Sequence, residues 1–339
     1  MIIRKNAYPR GGLVGNPSDG YFGKTIAFSF TNFSADVVLY ESPELEVLPS
    51  TRDHSTFLSI GGLARDVQLF GYYGGIRLLK AAIKRFHDHC LQRGIPLRED
   101  NFTVRYSSNI PHLVGLAGSS AIITACMRCL MDFYGVTVPR EELANLILEV
   151  ETKELGISAG LQDRVAQVYE GLVYMDFDRE LMESRGYGTY EPISPDCLPP
   201  LYVAYRADLS GGSEVVHNRI RERFNRGDSE VLEAIDYWRT LTDSVREKLE
   251  SGNAAEIGPL LDANFDQRAR IAEISEGNRR MVDAARSVGA SAKFTGSGGA
   301  IVGTYTDEAM FEALRNALEP MRVEVFKPAI APPVEEDEI

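Results

Sequence analysis

The sequence predicts an α+β protein with two domains, and three observations support this fold class. The chain has 339 residues, which is enough for two separate hydrophobic cores. Its first part alternates short apolar runs with turn residues, and a helical spacing of apolar residues follows. The order of the remaining elements is mixed, whereas a doubly wound parallel sheet would show regular alternation of strand and helix.

The first half contains five predicted strands and three predicted helices. Short apolar runs bounded by turn residues predict strands at 13–14, 26–30, 37–40, 102–106 and 172–177. Apolar residues three or four positions apart predict helices at 67–93 and 122–130. A third helix should begin near Pro139, where acidic residues precede the next apolar face.

Residues 178–200 break both patterns with repeated glycines and prolines. We therefore predict a domain boundary here, with an N-terminal catalytic domain at 1–185 and a C-terminal domain at 186–339 that ends in an acidic tail. The elements expected in the second half are strands at 201–205 and 323–326, helices near 229–250, 254–273, 276–288 and 307–318, and a strand–glycine loop–strand unit at 292–305.

Charge and composition limit the kinds of partner. A net charge of −13 argues against broad binding of nucleic acid or an anionic membrane. The chain is 44% apolar and 25% charged, which is typical of a soluble globular protein. Scarce cysteine and the lack of an apolar N-terminal stretch predict a cytoplasmic location. The expected partners are therefore small molecules.

The most informative segment is Pro111–Ala121, a glycine and serine loop that leads into an apolar helix. Small residues let backbone N–H groups approach an anion, and the positive end of the helix dipole points to the same place. The adjacent hydroxyls of Ser119 and Ser120 could reach a phosphate or its magnesium ion. The alternative is a plain helix cap, with Ser119 or Ser120 as the N-cap residue.

Two familiar nucleotide motifs are excluded. Gly23-Lys24-Thr25 resembles the end of a Walker A loop, but Ser18 stands where that motif needs its first glycine. Gly296-Ser297-Gly298 resembles a dinucleotide fingerprint, but its third glycine would fall at Ile301.

Three further segments carry groups suited to phosphoryl transfer. Residues 10–19, with Tyr21 beyond them, form a turn that could present polar groups to a hydroxylated ligand, or a plain β-turn. Glu151 and Asp163 could meet across a glycine turn as a magnesium ligand and a catalytic carboxylate, or be solvated helix-end charges. Residues 293–300 form a glycine loop that permits close approach to a ligand, or a tight hairpin.

Together these segments resemble the three motifs of the GHMP kinases. The first motif is residues 10–19, the second is residues 111–121 and the third is residues 293–300. We call residues 115–121 of the second motif the phosphate loop. The second of them is one residue longer than the family's usual form. The resemblance implies a ribosomal-protein-S5-like N-terminal half and a ferredoxin-like C-terminal half. It is strongest to the sugar-1-kinase branch and to glucuronokinases, through Leu13–Gly23, Gly115–Ala121 and Glu154–Tyr169.

The resemblance implies a role for particular residues. Asp163 would act on the anomeric hydroxyl of a sugar, and Arg10 would stabilise either the anionic oxygen or the phosphoryl group in transfer. Magnesium would be bound by Ser120 and Glu151. The residues expected to bind ATP are Gly115, Leu116, Ala117, Gly118, Ser119, Ser120 and Ala121. The residues expected to bind the substrate are Asn16, Ser18, Asp19, Tyr21, Arg164, Gly296, Ser297 and Gly298.

The implied activity is ATP- and Mg²⁺-dependent phosphorylation of a sugar acid at its anomeric hydroxyl, with D-glucuronate as the expected substrate. The alternatives are the same chemistry on galacturonate, fucose or a heptose, and a sugar and ATP sensor without turnover. Asn16 and Pro17 depart from the Glu-His of galactokinases, so galactose specificity is not inherited. The candidates for binding a substrate carboxylate are Arg164, which could equally be a structural ion pair, Arg206 and the turn at 210–213.

Overall fold

Three four-stranded sheets organise residues 1–50, 53, 74–206 and 220–334, which are the residues that the computed structural model describes. The strands are β1 (Ile2–Ala7), β2 (Arg10–Val14), β3 (Lys24–Ser29), β4 (Ala35–Glu41), β5 (Glu46–Val47), β6 (Phe102–Ser108), β7 (Leu172–Asp176), β8 (Thr189–Ile193), β9 (Leu201–Tyr205), β10 (Lys293–Phe294), β11 (Ala300–Thr304) and β12 (Glu324–Phe326). The sheet orders are β1-β4-β6-β5, β2-β3-β7-β8 and β10-β11-β9-β12. Neighbouring strands are antiparallel except for β5 and β6.

Helices cover these sheets in both halves of the chain. Their bounds are α1 (Gly75–Arg93), α2 (Gly118–Tyr134), α3 (Arg140–Glu149), α4 (Gln162–Tyr169), α5 (Arg179–Arg185), α6 (Ser229–Glu250), α7 (Gly258–Ile271), α8 (Glu276–Ser287) and α9 (Glu308–Leu318). In the described part of the chain no helix is both long and apolar enough to cross a membrane.

The helix α6 shows how the sequence builds the junction between the halves. Its N-cap Asp228 accepts hydrogen bonds from the N–H groups of Glu230 and Val231, which satisfies donors that a helix start leaves unpaired. Its buried residues, among them Trp238, recur every three or four positions and form one apolar face. This face packs on β2 and β3. The first motif, which contains β2, therefore lies where the sheet β2-β3-β7-β8 meets the helices of the second half. One continuous apolar core accordingly extends from Ile3 to Val302.

The segment 178–200, where the sequence pattern breaks up, contains α5 and β8, which were not predicted. The Asp178 side chain caps α5 by accepting from the Leu181 N–H. β8 tolerates Pro192 because it is an edge strand, where a missing N–H costs no ladder bond. β8 pairs with β7, with Thr189 opposite Asp176. The boundary predicted at residues 185 and 186 stays a prediction, and this pairing favours one after Ile193.

Several other predicted strands and helices overlap observed elements. The strands expected at 26–30, 37–40, 102–106 and 201–205 overlap β3, β4, β6 and β9. The helix expected from residue 67 is described only from Gly75, and its earlier residues lie outside the described part of the chain. β1 and β5 were not predicted from the sequence.

The segment 329–334 returns from the second half to the first. The Ala331 N–H donates to the Ser29 carbonyl (2.8 Å), and the Thr31 N–H donates to Ala329 (2.8 Å). The Val334 N–H donates to Tyr169 (2.9 Å). We call residues 329–334 the C-terminal strap, because they bind the end of β3 and the end of α4.

Candidate active site

The phosphate loop ends at an open helix N-terminus. Ala117 is the N-cap residue of α2, has a left-handed φ of 61° and makes no side-chain cap. The Ala121 N–H donates to the Ala117 carbonyl (3.1 Å), which is the first bond of the regular helical ladder, so the first turn of α2 begins at the phosphate loop. Ser119 and Ser120 lie inside the first turn, and the alternative that either is the N-cap was wrong. The geometry suits an anion.

Gln167 holds this loop from behind, and sequence reasoning missed it. Its amide nitrogen donates to the carbonyl oxygens of Ala117 (2.8 Å) and Tyr8 (3.0 Å), and its side chain is 0% exposed. It lies four residues after Asp163 in α4, so both side chains are on one helix face. That spacing was the available signal. One short helix therefore carries the predicted catalytic carboxylate and a support of the phosphate loop.

Arg10 joins all three motifs. Its Nε donates to Asp163 Oδ1 (2.6 Å), and one terminal nitrogen donates to the carbonyls of Gly115 (2.7 Å) and Thr295 (3.0 Å). The side chain is buried and paired with a carboxylate, as a buried charge requires. A Cβ on Gly296 would lie 2.6 Å from the Gly115 carbonyl oxygen, so only glycine fits against this cluster.

Two carboxylates face the same space. Asp163 lies in the first turn of α4, and Asp19 accepts a hydrogen bond from the Gln162 N–H (3.3 Å). Burial, together with the charge of Asp163, raises the pKa of Asp19 from 3.8 to about 6. Gly160 gives Asp19 its room, since a Cβ there would lie 2.0 Å from Asp19 Oδ2.

Glu151 and Arg164 form a buried ion pair beside these carboxylates. Glu151 lies in a π-helical turn, Val150–Glu154, of the kind often found at functional sites. Arg164 contacts Glu151 Oε2, lies 3.4 Å from Asp163 Oδ2 and donates to the Gly160 carbonyl (2.8 Å). Burial lowers the pKa of Arg164 to about 9. The sequence left two roles open for Arg164, binding a substrate carboxylate and forming a structural ion pair. The structure contains the ion pair, with Glu151.

The donors predicted for magnesium are a hydroxyl and a carboxylate. Ser120 Oγ is buried and donates to the Ala117 carbonyl (3.2 Å). Within the described residues there is no group of three or more His, Cys, Asp or Glu side chains that could hold a metal ion. A hydroxyl and a carboxylate are oxygen donors of the kind that Mg²⁺ accepts beside phosphate oxygens and water.

Lys293 ties the first motif to the third. Its ammonium group donates to the carbonyls of Gly12 (2.6 Å) and Phe294 (2.8 Å) and to Asn16 Oδ1. Burial, with the nearby charges of Arg268 and Arg10, lowers the pKa of Lys293. The Asn16 amide nitrogen donates to the Phe294 carbonyl (3.2 Å), so Asn16 serves the contact between motifs.

The other predicted substrate residues are placed differently. Ser18 is fully buried, and its hydroxyl donates to the Lys24 carbonyl (3.0 Å) within its own turn. Tyr21 is buried against Phe224, with ring centroids 5.1 Å apart. The carbonyls of Gly296 and Ser297 accept from Arg268 (2.7 and 3.0 Å), a residue that sequence reasoning missed. The turn at 210–213 lies outside the described residues.

The fold is that of a solved sugar kinase. The galactokinase of Lactococcus lactis complexed with galactose superposes with a TM-score of 0.75 at 16% identity, covering 97% of this chain and 94% of that one. At this identity the likeness shows the fold alone. The predicted two-domain α+β fold of the GHMP kinases is confirmed.

Sequence comparison gives the family. Residues 77–171 match GHMP kinases N terminal domain, and residues 245–322 match GHMP kinases C terminal. Glucuronokinase 1 of Arabidopsis thaliana is 42% identical over 306 residues, covering 88% of this chain and 84% of the relative. Probable glucuronokinase 2 of the same organism is 43% identical over 308 residues, with 89% and 84% covered. The chain belongs to the GHMP kinase family.

Proposed function

We propose that this protein is an ATP- and Mg²⁺-dependent kinase that converts D-glucuronate into D-glucuronate 1-phosphate. The main support for the substrate is the 42% identity to Glucuronokinase 1 over 88% of the chain. The observation that carries the reaction type is the contact of Arg10 with Asp163 and with the phosphate-loop residue Gly115. A carboxylate, a cation and an anion cradle are the set that phosphoryl transfer requires.

In the proposed mechanism, Asp163 orients the anomeric hydroxyl and accepts its proton. The hydroxyl oxygen bonds to the γ-phosphorus of ATP, the bond from that phosphorus to the bridging oxygen breaks, and ADP leaves. Arg10 lies between the carboxylate and the loop, so its charge can stabilise the phosphoryl group in transit. Backbone N–H groups at the start of α2 would hold the phosphates.

Magnesium would neutralise charge on the triphosphate. We propose Ser120 and Glu151 as its protein ligands. Because Arg164 contacts Glu151 Oε2, the other carboxylate oxygen is the one assigned to the ion.

We also propose a cytoplasmic location, since all four cysteines are free thiols, as a reducing compartment favours.

On the substrate side, Asp19 would bind sugar hydroxyls. Its carboxylate lies beside Gln162 and Gly160, next to Asp163. The alternatives are the same reaction on galacturonate, fucose or a heptose. A sensor that binds sugar and ATP without turnover is the alternative of another class.

The test is ADP release with Mg-ATP across glucuronate, galacturonate, glucose, fucose and a heptose, with the product phosphate located by ³¹P NMR. We expect turnover that is fastest with glucuronate and a phosphate on the anomeric carbon. Turnover confined to neutral sugars would refute the substrate. No ADP release with any sugar would refute the kinase reaction and leave the sensor.

A further inference from the structure

Two buried cations beside the third motif have no carboxylate partner in the part of the chain that the structure describes. Arg268 is 2% exposed and Lys293 is 1% exposed, and both donate to carbonyl or amide oxygens. The other buried arginines of the site differ, since Arg10 is paired with Asp163 and Arg164 with Glu151. A buried charge without a counter-charge is costly. The imbalance indicates that an anion enters with a ligand.

Arg268 is the better placed of the two to receive that anion. An arginine has five N–H donors, and one bond goes to each of the Gly296 and Ser297 carbonyls. Its Nε is buried and finds no acceptor among residues 1–50, 53, 74–206 and 220–334. The guanidinium carbon of Arg268 lies over the Phe294 ring, 5.0 Å from the ring centroid, and this contact orients the guanidinium group. By contrast, the three Lys293 donors are all used within the protein.

Electrostatics link Arg268 to the predicted sugar side of the site. Burial raises the pKa of Tyr21 to about 12, while Arg221 and Arg268 act against this shift and Asp19 adds to it. The geometry gives a direct link as well: Arg268 donates to the Gly296 carbonyl (2.7 Å), and Gly296 lies against the guanidinium of Arg10, the partner of Asp163. Burial also lowers the pKa of Arg268 to about 10, so it stays charged at neutral pH.

We propose that Arg268 binds the carboxylate of the sugar-acid substrate and sets the preference for an acid over a neutral sugar. This inference rests on the proposed function. A guanidinium matches a carboxylate with paired, charge-assisted hydrogen bonds, and a lysine cannot reproduce that geometry. The ATP phosphates are the other source of an anion at this place, and the experiment separates the two.

The experiment measures kcat/KM for glucuronate and for glucose, which has the same ring and lacks the carboxylate, together with the KM for ATP. Arg268→Met should lower the ratio of the glucuronate to the glucose value by about 100-fold, because the substrate charge loses its partner. Arg268→Lys should recover only part of this ratio. The ratio does not depend on how much of a variant is folded.

Arg286→Met is the matched control. Arg286 also stacks on a phenylalanine, Phe265, at 5.2 Å, but it is paired with Asp262 (2.9 Å) and Asp266 (2.8 Å). We expect this variant to keep the wild-type ratio.

Three outcomes would overturn the inference. An unchanged ratio in Arg268→Met with equal losses for both sugars would mean that Arg268 only supports the loop. An unchanged ratio with a raised KM for ATP would assign the anion to the nucleotide. A ratio that falls equally in Arg286→Met would show a general effect of losing an arginine that stacks on a phenylalanine. If the wild-type protein does not turn over glucuronate, the proposed function itself fails, and that result precedes any variant.

Discussion

Replacing Gly160 by alanine should misplace Asp19 without straining the backbone. Gly160 does not have a positive φ, so alanine can adopt its conformation. The new Cβ would lie 2.0 Å from Asp19 Oδ2, whereas ordinary contact begins at 3.4 Å, so the carboxylate must retreat by about 1.4 Å. A misplacement of about 1 Å at a reacting centre costs on the order of 100-fold in rate. We therefore expect kcat/KM for the sugar to fall by about 100-fold while the KM for ATP changes little.

Steady-state kinetics with each substrate varied in turn provide the assay, and Gly156→Ala provides the control. Gly156 belongs to the same loop and has nothing within 4 Å, but its φ of 67° strains an alanine. This control should lose about 1 kcal/mol of stability and keep its kinetics. Wild-type kcat/KM for the sugar in Gly160→Ala would refute the reasoning, and so would an equal kinetic loss in Gly156→Ala.

Three further predictions concern the same site. Asp163→Ala should lower kcat by about 1,000-fold and leave the ATP affinity, measured by titration calorimetry, nearly intact. The reason is that the substitution removes a proton acceptor and no nucleotide contact. A normal kcat would contradict this prediction. Because the pKa of Asp19 is raised to about 6, its carboxylate is protonated as the pH falls through 6, and kcat/KM for the sugar should fall with it. A profile for Asp19→Asn that keeps this acid limb would be inconsistent with the assignment. Gln167→Leu should raise the KM for ATP about tenfold through the lost bond to Ala117. Ser29→Ala loses a buried bond to a carbonyl outside the phosphate loop, that of Ala166 (2.7 Å), and should not change this KM.

Apolar runs predicted much of the fold because burial alone specifies those elements. β3 and β9 are almost wholly buried, so their sequences read as short apolar segments. β8 and β1 carry no such signal. β8 contains Pro192 and is mostly half-buried, and its place is fixed by pairing with β7. The sequence of one strand does not reveal which distant strand it will pair with.

For the candidate site, local chemistry predicted the glycines of the phosphate loop and the polar residues that meet across the motifs. The roles of Arg10 and Asp163 were implied by the family resemblance, whereas the contact between them is seen only in the structure. Arg268 could not be found in this way, because the feature that distinguishes it, the lack of a carboxylate partner among the described residues, exists only in three dimensions. Ser18 shows the converse error, since a polar residue in a motif can serve its own turn. Motifs indicate which residues matter more reliably than they indicate what each one does.

The C-terminal strap has a consequence for how the protein is made. The carbonyls of Ser29 and Tyr169 belong to the first half, yet their partners, Ala331 and Val334, are synthesised after the second-half strands and helices. Chains fold from the N-terminus as they leave the ribosome. The first-half sheet can form early, but its last hydrogen bonds must wait for residues 329–334. Completion of the first half is therefore a late event, and a ribosome stalled before the strap would hold a first-half sheet that is formed but lacks these hydrogen bonds.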